Sequence, residues 1–136
     1  MYLYNKNMFS SIWYDSLTKP FLSPPKWVFA PVWTILYGTL LTALILYTIK
    51  ISNKSKFSGY VLFLTHMIFN FLWSPVFFIL HKIDIALYII FIMDISVILL
   101  VKKFFSVSKI AGTILIPYLV WIFYATYLNF QYYNLN

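Results

Sequence analysis

Four stretches of the chain, 27–49, 57–80, 85–101 and 110–133, are free or nearly free of Lys, Arg, Asp and Glu for about the length that a bilayer requires. At about 1.5 Å of rise per residue, the first, second and fourth can cross a hydrocarbon core of about 30 Å as α-helices. The third is shorter and carries Asp94 near its middle, and it is read as a span as well. A membrane β-barrel would need segments of about ten residues with strict alternation. Runs such as Leu99-Leu100-Val101 and Phe77-Phe78-Ile79-Leu80 break that alternation. The expected fold is therefore an all-α integral membrane bundle with four spans.

Short polar connections separate the spans: Lys50 to Lys56 (KISNKSK), His81 to Asp84 (HKID) and Lys102 to Lys109 (KKFFSVSK). Short links join antiparallel neighbours, which predicts an up-and-down bundle over 27–136. Residues 1–26 contain Pro20, Pro24, Pro25 and the pair Trp13-Tyr14, and residues 8–14 are too few to cross. They read as an interfacial segment or ordered capping loop. Met1 to Ser10 has no apolar core or small-residue cleavage site of the kind a signal peptide needs. The first and third connections hold six lysines, against Lys6, Lys19, Lys26 and Lys82 on the other side. By a small margin, the positive-inside rule then places both termini outside the cytoplasm.

Composition sharpens this picture. Of 136 residues, 62% are hydrophobic and 10% are charged, against roughly 25% charged in soluble domains. That leaves no room for a sizeable extramembrane enzyme. The ten basic residues are all Lys and the three acids all Asp, giving a net charge of +7 from single charges scattered between apolar stretches. A nucleic-acid face would cluster its basic residues, so no such partner is expected. With zero Cys, disulfides, thiolate metal sites, Cys nucleophiles and lipidated Cys are all excluded.

Inside a span, apolar side chains match their solvent, so the polar and ionisable ones carry the functional signal. His66 and Asn70 are four apart and share a helix face that Trp73 and Phe77 continue, and that face should look into the bundle. Their plainer reading is interhelical hydrogen bonding. A lone intramembrane His is weak ground for a haem or metal ligand, and no metal site is expected. Asp94, the one carboxylate deep in a span, must be protonated or bonded to a partner, for which His66 or Tyr118 would qualify. Cycling its proton could drive transport, while a structural role is the plainer reading.

Aromatic residues make up 23% of the chain, with five Trp, twelve Tyr and fourteen Phe. Interfacial belts account for Trp13, Tyr14, Trp27, Tyr132 and Tyr133. Trp33, Trp73 and Trp121 lie deeper. Trp33 and Tyr37 are four apart, as are Trp121 and Ala125, and a Trp beside an Ala leaves room for a flat ligand; facing lipid is the alternative for each. Pro31, Pro75 and Pro117 each interrupt a span near a Trp and are expected to kink it. Gly38 with Thr42 is a small-residue pair that suits close helix packing or a dimer face. No nucleophile with its base, phosphate loop or metal cluster is present, so enzyme chemistry of those kinds is not expected.

Four runs combine into something more specific: WYDSLTKP at 13–20, PPKWVFAPVWTILYG at 24–38, NFLWSPVFF at 70–78 and PYLVWIFYATYLN at 117–129. In this order, over nearly the whole chain, they resemble the tryptophan-rich sensory protein / translocator protein family, also called the peripheral benzodiazepine receptor family. The resemblance implies a helical bundle whose cavity, capped by the loop with the WY and KP elements, binds porphyrins and, in animal members, cholesterol and synthetic drugs. It matches Trp33 and Trp121 to the two pocket Trp residues, Tyr14 to the Tyr of the capping loop, and Asn70 to the Asn of a Q-L-x-x-N pattern. His66 stands where that pattern has Gln, which puts a titratable imidazole in place of a neutral amide.

The expected ligand is a flat tetrapyrrole such as protoporphyrin IX or haem, with no resident cofactor required. Trp33 and Trp121 would stack on the ring, Tyr14, Asn70 and His66 would bond its edge, and Tyr37, Tyr118 and Ala125 would complete the site. Lys19 or Lys26 would pair with propionates. Trp73 is assigned to helix packing, because the Pro75 kink should turn it towards a neighbour. Binding could serve transport, sensing or light-dependent breakdown through a pocket Trp. The alternative function is a small proton-coupled multidrug-type transporter using Asp94, although such transporters carry a Glu in their first span. Family members have five spans, the first preceding the WY motif, so the resemblance implies a shortened chain or a start further upstream. A missing helix would expose one side of the cavity and favour a homodimer. No basic residue follows Tyr132 or Tyr133, so the cholesterol motif is incomplete and sterol is not an expected partner.

Overall fold

The computed structural model describes Leu17 and residues 26–136. A 3-10 turn, Lys26–Val28, leads into α1 (Phe29–Ile49), followed by α2 (Phe57–Phe78), α3 (Ile83–Val107), α4 (Lys109–Ile114) and α5 (Ile116–Leu135). Among the described residues there is no strand. Four segments are long and apolar enough to cross a membrane, with α4 and α5 together forming the last, Lys109–Leu135. The protein is a multi-pass membrane bundle. Its helices need no polar outer face, because lipid replaces water there and each helix satisfies its own backbone. Ile45, Leu64, Ile95 and Phe123 accordingly stand exposed on the outside.

The central helix is α3. Its buried residues Ile90, Met93, Val97, Leu100 and Phe104 recur at helical spacing, and it packs against α2 on one side and against α4 and α5 on the other. Although consecutive, the backbones of α1 and α2 stay apart, and side chains bridge the space. The Tyr47 hydroxyl donates to the Lys56 carbonyl at 2.9 Å, and the Tyr60 hydroxyl donates to Thr48 Oγ1 at 2.9 Å. Tyr47 is fully buried and stacks on Phe104 at 4.1 Å. Gly59 permits this approach, since a Cβ there would lie 2.5 Å from Tyr47 Cζ.

Several helix ends differ from the sequence expectation. The third span is not the shortest but holds the longest single helix, because α3 continues through Lys102 and Lys103 to Val107. Backbone bonding does not stop at a polar side chain, and the buried Phe104 and Val107 hold the last turns. The expected connection Lys102 to Lys109 thus shrinks to Ser108, whose extended backbone ends α3 and whose Oγ caps α4 by accepting from Ala111 N–H at 3.2 Å. The fourth span runs slightly beyond 110–133 at both ends, and α2 stops at Phe78 rather than at residue 80.

Among the described residues Pro75 is the one proline in a helix interior, and its carbonyl accepts from Ile79 and Leu80 N–H as α2 closes. Pro31 and Pro117 sit in the first turns of α1 and α5, where a missing N–H leaves no bond unmade. Pro117 still marks a break in its span, between α4 and α5. Among the described residues Gly38 mediates no close packing: a Cβ there would meet nothing within 4 Å.

Candidate ligand site

At mid-depth the bundle buries a run of polar side chains from four helices. Tyr37 (α1) donates its hydroxyl proton to Asn70 Oδ1 (α2) at 2.7 Å, and Asn70 Nδ2 donates to the Tyr118 oxygen (α5) at 2.6 Å. Tyr118 lies 2.5 Å from His66 Nε2, and His66 Nδ1 lies 2.7 Å from Ser96 Oγ (α3). Ser96 donates to the Met93 carbonyl at 2.9 Å. That last bond uses the single proton of Ser96, so His66 Nδ1–H must be the donor to Ser96. Nε2 of the neutral ring then accepts from the Tyr118 hydroxyl. Every donation therefore points the same way, from α1 through α2 and α5 to α3. His66 and Tyr118 are fully buried and Asn70 nearly so, which makes these paired groups costly to disturb.

One turn along α1 from Tyr37, towards the helix N-terminus, stands Trp33, 5% exposed. It stacks on Tyr37 at 5.8 Å and meets Trp121 of α5 edge-to-face at 6.5 Å. Trp121 is partly buried, and Ala125, one turn further along α5, is buried in the same apolar cluster. The structure thus brings Trp33, Trp121, Tyr37, Asn70, His66, Tyr118 and Ala125 into one region between α1, α2 and α5. Tyr14 and Lys19 lie outside the described residues, as does the side chain of Lys26.

Trp73 belongs to a neighbouring contact. Its Nε1 donates to Asn129 Oδ1 of α5 at 2.8 Å, its ring stacks on Phe77 at 5.2 Å, and Asn129 Nδ2 donates to the Ile83 carbonyl at 3.2 Å. Leu17, from the WYDSLTKP run, packs against the adjoining cluster of Phe77, Ala86, Leu128 and Tyr132. Asp94 pairs with neither His66 nor Tyr118, which are bonded to each other; its partner is Thr126 of α5, at 2.8 and 2.9 Å. Thr126 Oγ1 also lies 2.9 Å from the Ile122 carbonyl, which shares the single Thr126 hydroxyl proton with Asp94. Ser96, Thr126 and Asn129 went unremarked in the sequence, although a polar residue inside an apolar run was the signal that could have found them. Among the described residues no cluster of His, Cys, Asp or Glu could hold a metal ion.

The profile of the TspO/MBR family matches residues 2–134. The chain belongs to the TspO/MBR family. Tryptophan-rich protein TspO of Archaeoglobus fulgidus is 41% identical over 127 residues, covering 91% of this chain and 80% of the relative. Tryptophan-rich sensory protein of Cereibacter sphaeroides is 36% identical over 126 residues, covering 91% and 77%. Translocator protein of Homo sapiens is 28% identical over 120 residues, covering 87% and 71%. Across this TspO/MBR range, the matched segment takes in all the helices that frame the aromatic corner and the polar run.

Proposed function

We propose that the chain binds a flat tetrapyrrole, of the protoporphyrin IX or haem type, at the corner formed by Trp33 and Trp121. The observation that carries this reading is the perpendicular approach of the two indoles at 6.5 Å, one turn from a hydrogen-bonded polar run. Indole faces offer stacking area to a conjugated ring, while Tyr37 and Asn70 offer polar contacts to its edge. His66 and Tyr118 act from behind by holding Asn70. Tyr14 and Lys19 or Lys26 complete the reading, the lysines pairing with propionates. Binding serves transport or sensing of the tetrapyrrole, or its light-dependent breakdown through a pocket Trp. Family membership favours this over a multidrug-type transporter driven by Asp94, whose carboxyl is held by Thr126 apart from the polar run.

Titration of the folded protein with protoporphyrin IX in detergent, followed by Trp quenching, tests the reading. Trp33→Ala and Trp121→Ala are each expected to weaken binding roughly ten-fold, about 1.5 kcal/mol, by analogy with aromatic stacking on nucleobases. Trp121→Phe should keep most of the affinity and lower any light-dependent loss of the porphyrin. Equal affinity for the wild type and both Ala variants would return the indoles to a packing role.

The same reading includes a homodimer. Gly38 and Thr42 lie on the outer face of α1, where Gly38 leaves open space for a second copy to approach. Light scattering in mild detergent should give twice the protomer mass; a monomer with intact porphyrin binding removes this part.

A further inference from the structure

At the opposite end from the Trp corner, the bundle carries a basic rim. Lys50, Lys54 and Lys56 connect α1 to α2, Lys102 and Lys103 lie near the end of α3, and Lys109 opens α4. These lysines are not equivalent. Lys56 Nζ donates to the Thr48 and Lys50 carbonyls at 2.8 and 2.5 Å, so it caps the C-terminal end of α1. Lys54 Nζ donates to the Ser106 carbonyl at 3.1 Å and ties the connection to the end of α3. Lys50 and Lys109 have no such task among the described residues. Of the acids whose placement is described, Asp84 begins α3 at the far end and Asp94 lies at mid-span, so neither neutralises them.

Lys50 and Lys109 both line an open groove of about 760 Å³ between the end of α1 and the α3–α4 junction. Its floor and walls are apolar, formed by Leu46, Ile49, Phe105 and Ile110 among others. Ile49 and Ile110 are 68% and 65% exposed, and Ile51 is 96% exposed. The groove sits where two spans end, so its apolar part faces acyl chains and its cations stand at the level of the headgroups. A soluble anion would leave the isoleucines uncovered, and a neutral lipid would leave the two ammonium groups unmatched.

We propose that this groove binds one anionic phospholipid, its headgroup phosphate engaged by Lys50 and Lys109 and an acyl chain lying over Leu46, Ile49 and Ile110. Lysines close to a membrane surface are attracted to anionic headgroups. The cluster on this rim is also the one that the positive-inside rule places at the cytoplasmic leaflet, where anionic lipids concentrate.

Native mass spectrometry of the full chain in detergent tests the site, with phosphatidylglycerol and phosphatidylcholine of identical acyl chains as probes. The wild type should retain one phosphatidylglycerol at least about ten-fold more tightly than phosphatidylcholine. The double variant Lys50→Gln/Lys109→Gln should bring the two lipids to equal affinity. Lys102→Gln/Lys103→Gln removes the same charge from the same rim but leaves the groove lining untouched, and should keep the preference. Thermal unfolding of each variant confirms that the bundle is intact. The proposal is overturned by a wild type without preference, by a preference that survives in the groove variant, or by equal loss in both double variants, which would mean a diffuse basic surface.

Discussion

Gly112→Ala is expected to lower the stability of the bundle by about 3 kcal/mol, near the top of the range for overpacking a tight contact. A Cβ at Gly112 would lie 2.5 Å from Phe105 Cβ, 2.6 Å from its Cα and 2.8 Å from its backbone N. A side chain can rotate away from such a clash, but the backbone at the end of α3 cannot. The short α4 would have to tilt off α3, carrying the start of the fourth span with it. Thermal or SDS unfolding in detergent measures the effect. Gly38→Ala is the comparison within the protomer: a Cβ there meets nothing within 4 Å among the described residues, so the monomer should gain up to about 1 kcal/mol from helix propensity, apart from any effect on dimer contact. Equal stability of Gly112→Ala and the wild type would show that the α3–α4 contact is looser than the structure has it.

The second large effect is expected at Tyr118. Tyr118→Phe removes one hydroxyl and leaves two buried groups, His66 Nε2 and Asn70 Nδ2, without their partner. An orphaned buried polar group costs about 1–3 kcal/mol in soluble proteins, and interhelical bonds in membranes average about 0.6 kcal/mol, so a loss of about 2–3 kcal/mol is expected for the pair. Tyr37→Phe sits at the head of the run and strips only the Asn70 oxygen of its donor; it should cost about 1 kcal/mol or less. Unfolding curves for the two variants, side by side, decide the matter. If Tyr37→Phe proved the more damaging, the hub would not be Tyr118.

The spans were legible because charge is scarce in lipid, and runs without it mark helices almost directly. Their ends were less so. Lys102 and Lys103 looked like the start of a loop, yet a helix carries lysine readily and the apolar contacts of Phe104 and Val107 extend α3 past it. Within the site, Trp33, Tyr37, Asn70 and Tyr118 could be picked out by type and by spacing along single helices. What spacing cannot supply is the register between helices. Whether Asp94 meets His66, Tyr118 or Thr126 depends on how far α3 and α5 slide past one another, and a shift of one turn, about 5.4 Å, changes the answer. Ser96 escaped notice for the same reason, as its value lies wholly in facing His66 across the gap between α2 and α3.

The hydrogen-bonded run that ends at the Met93 carbonyl has one further consequence, which concerns the choice of guest. The Tyr37 proton is already committed inward, to Asn70, so the Tyr37 oxygen can show a newcomer only lone pairs. A guest that docks there must bring its own proton: a pyrrole or amine N–H, a hydroxyl or an un-ionised acid is welcome, while a ketone or a carboxylate is repelled. Placing a second proton on His66 would oblige Nε2 to donate to Tyr118, turn the Asn70 amide around and push the Tyr37 proton outward. The same wall would then favour the guests it had turned away. What the Tyr37 oxygen presents is thus set three hydrogen bonds away, by the number of protons on His66.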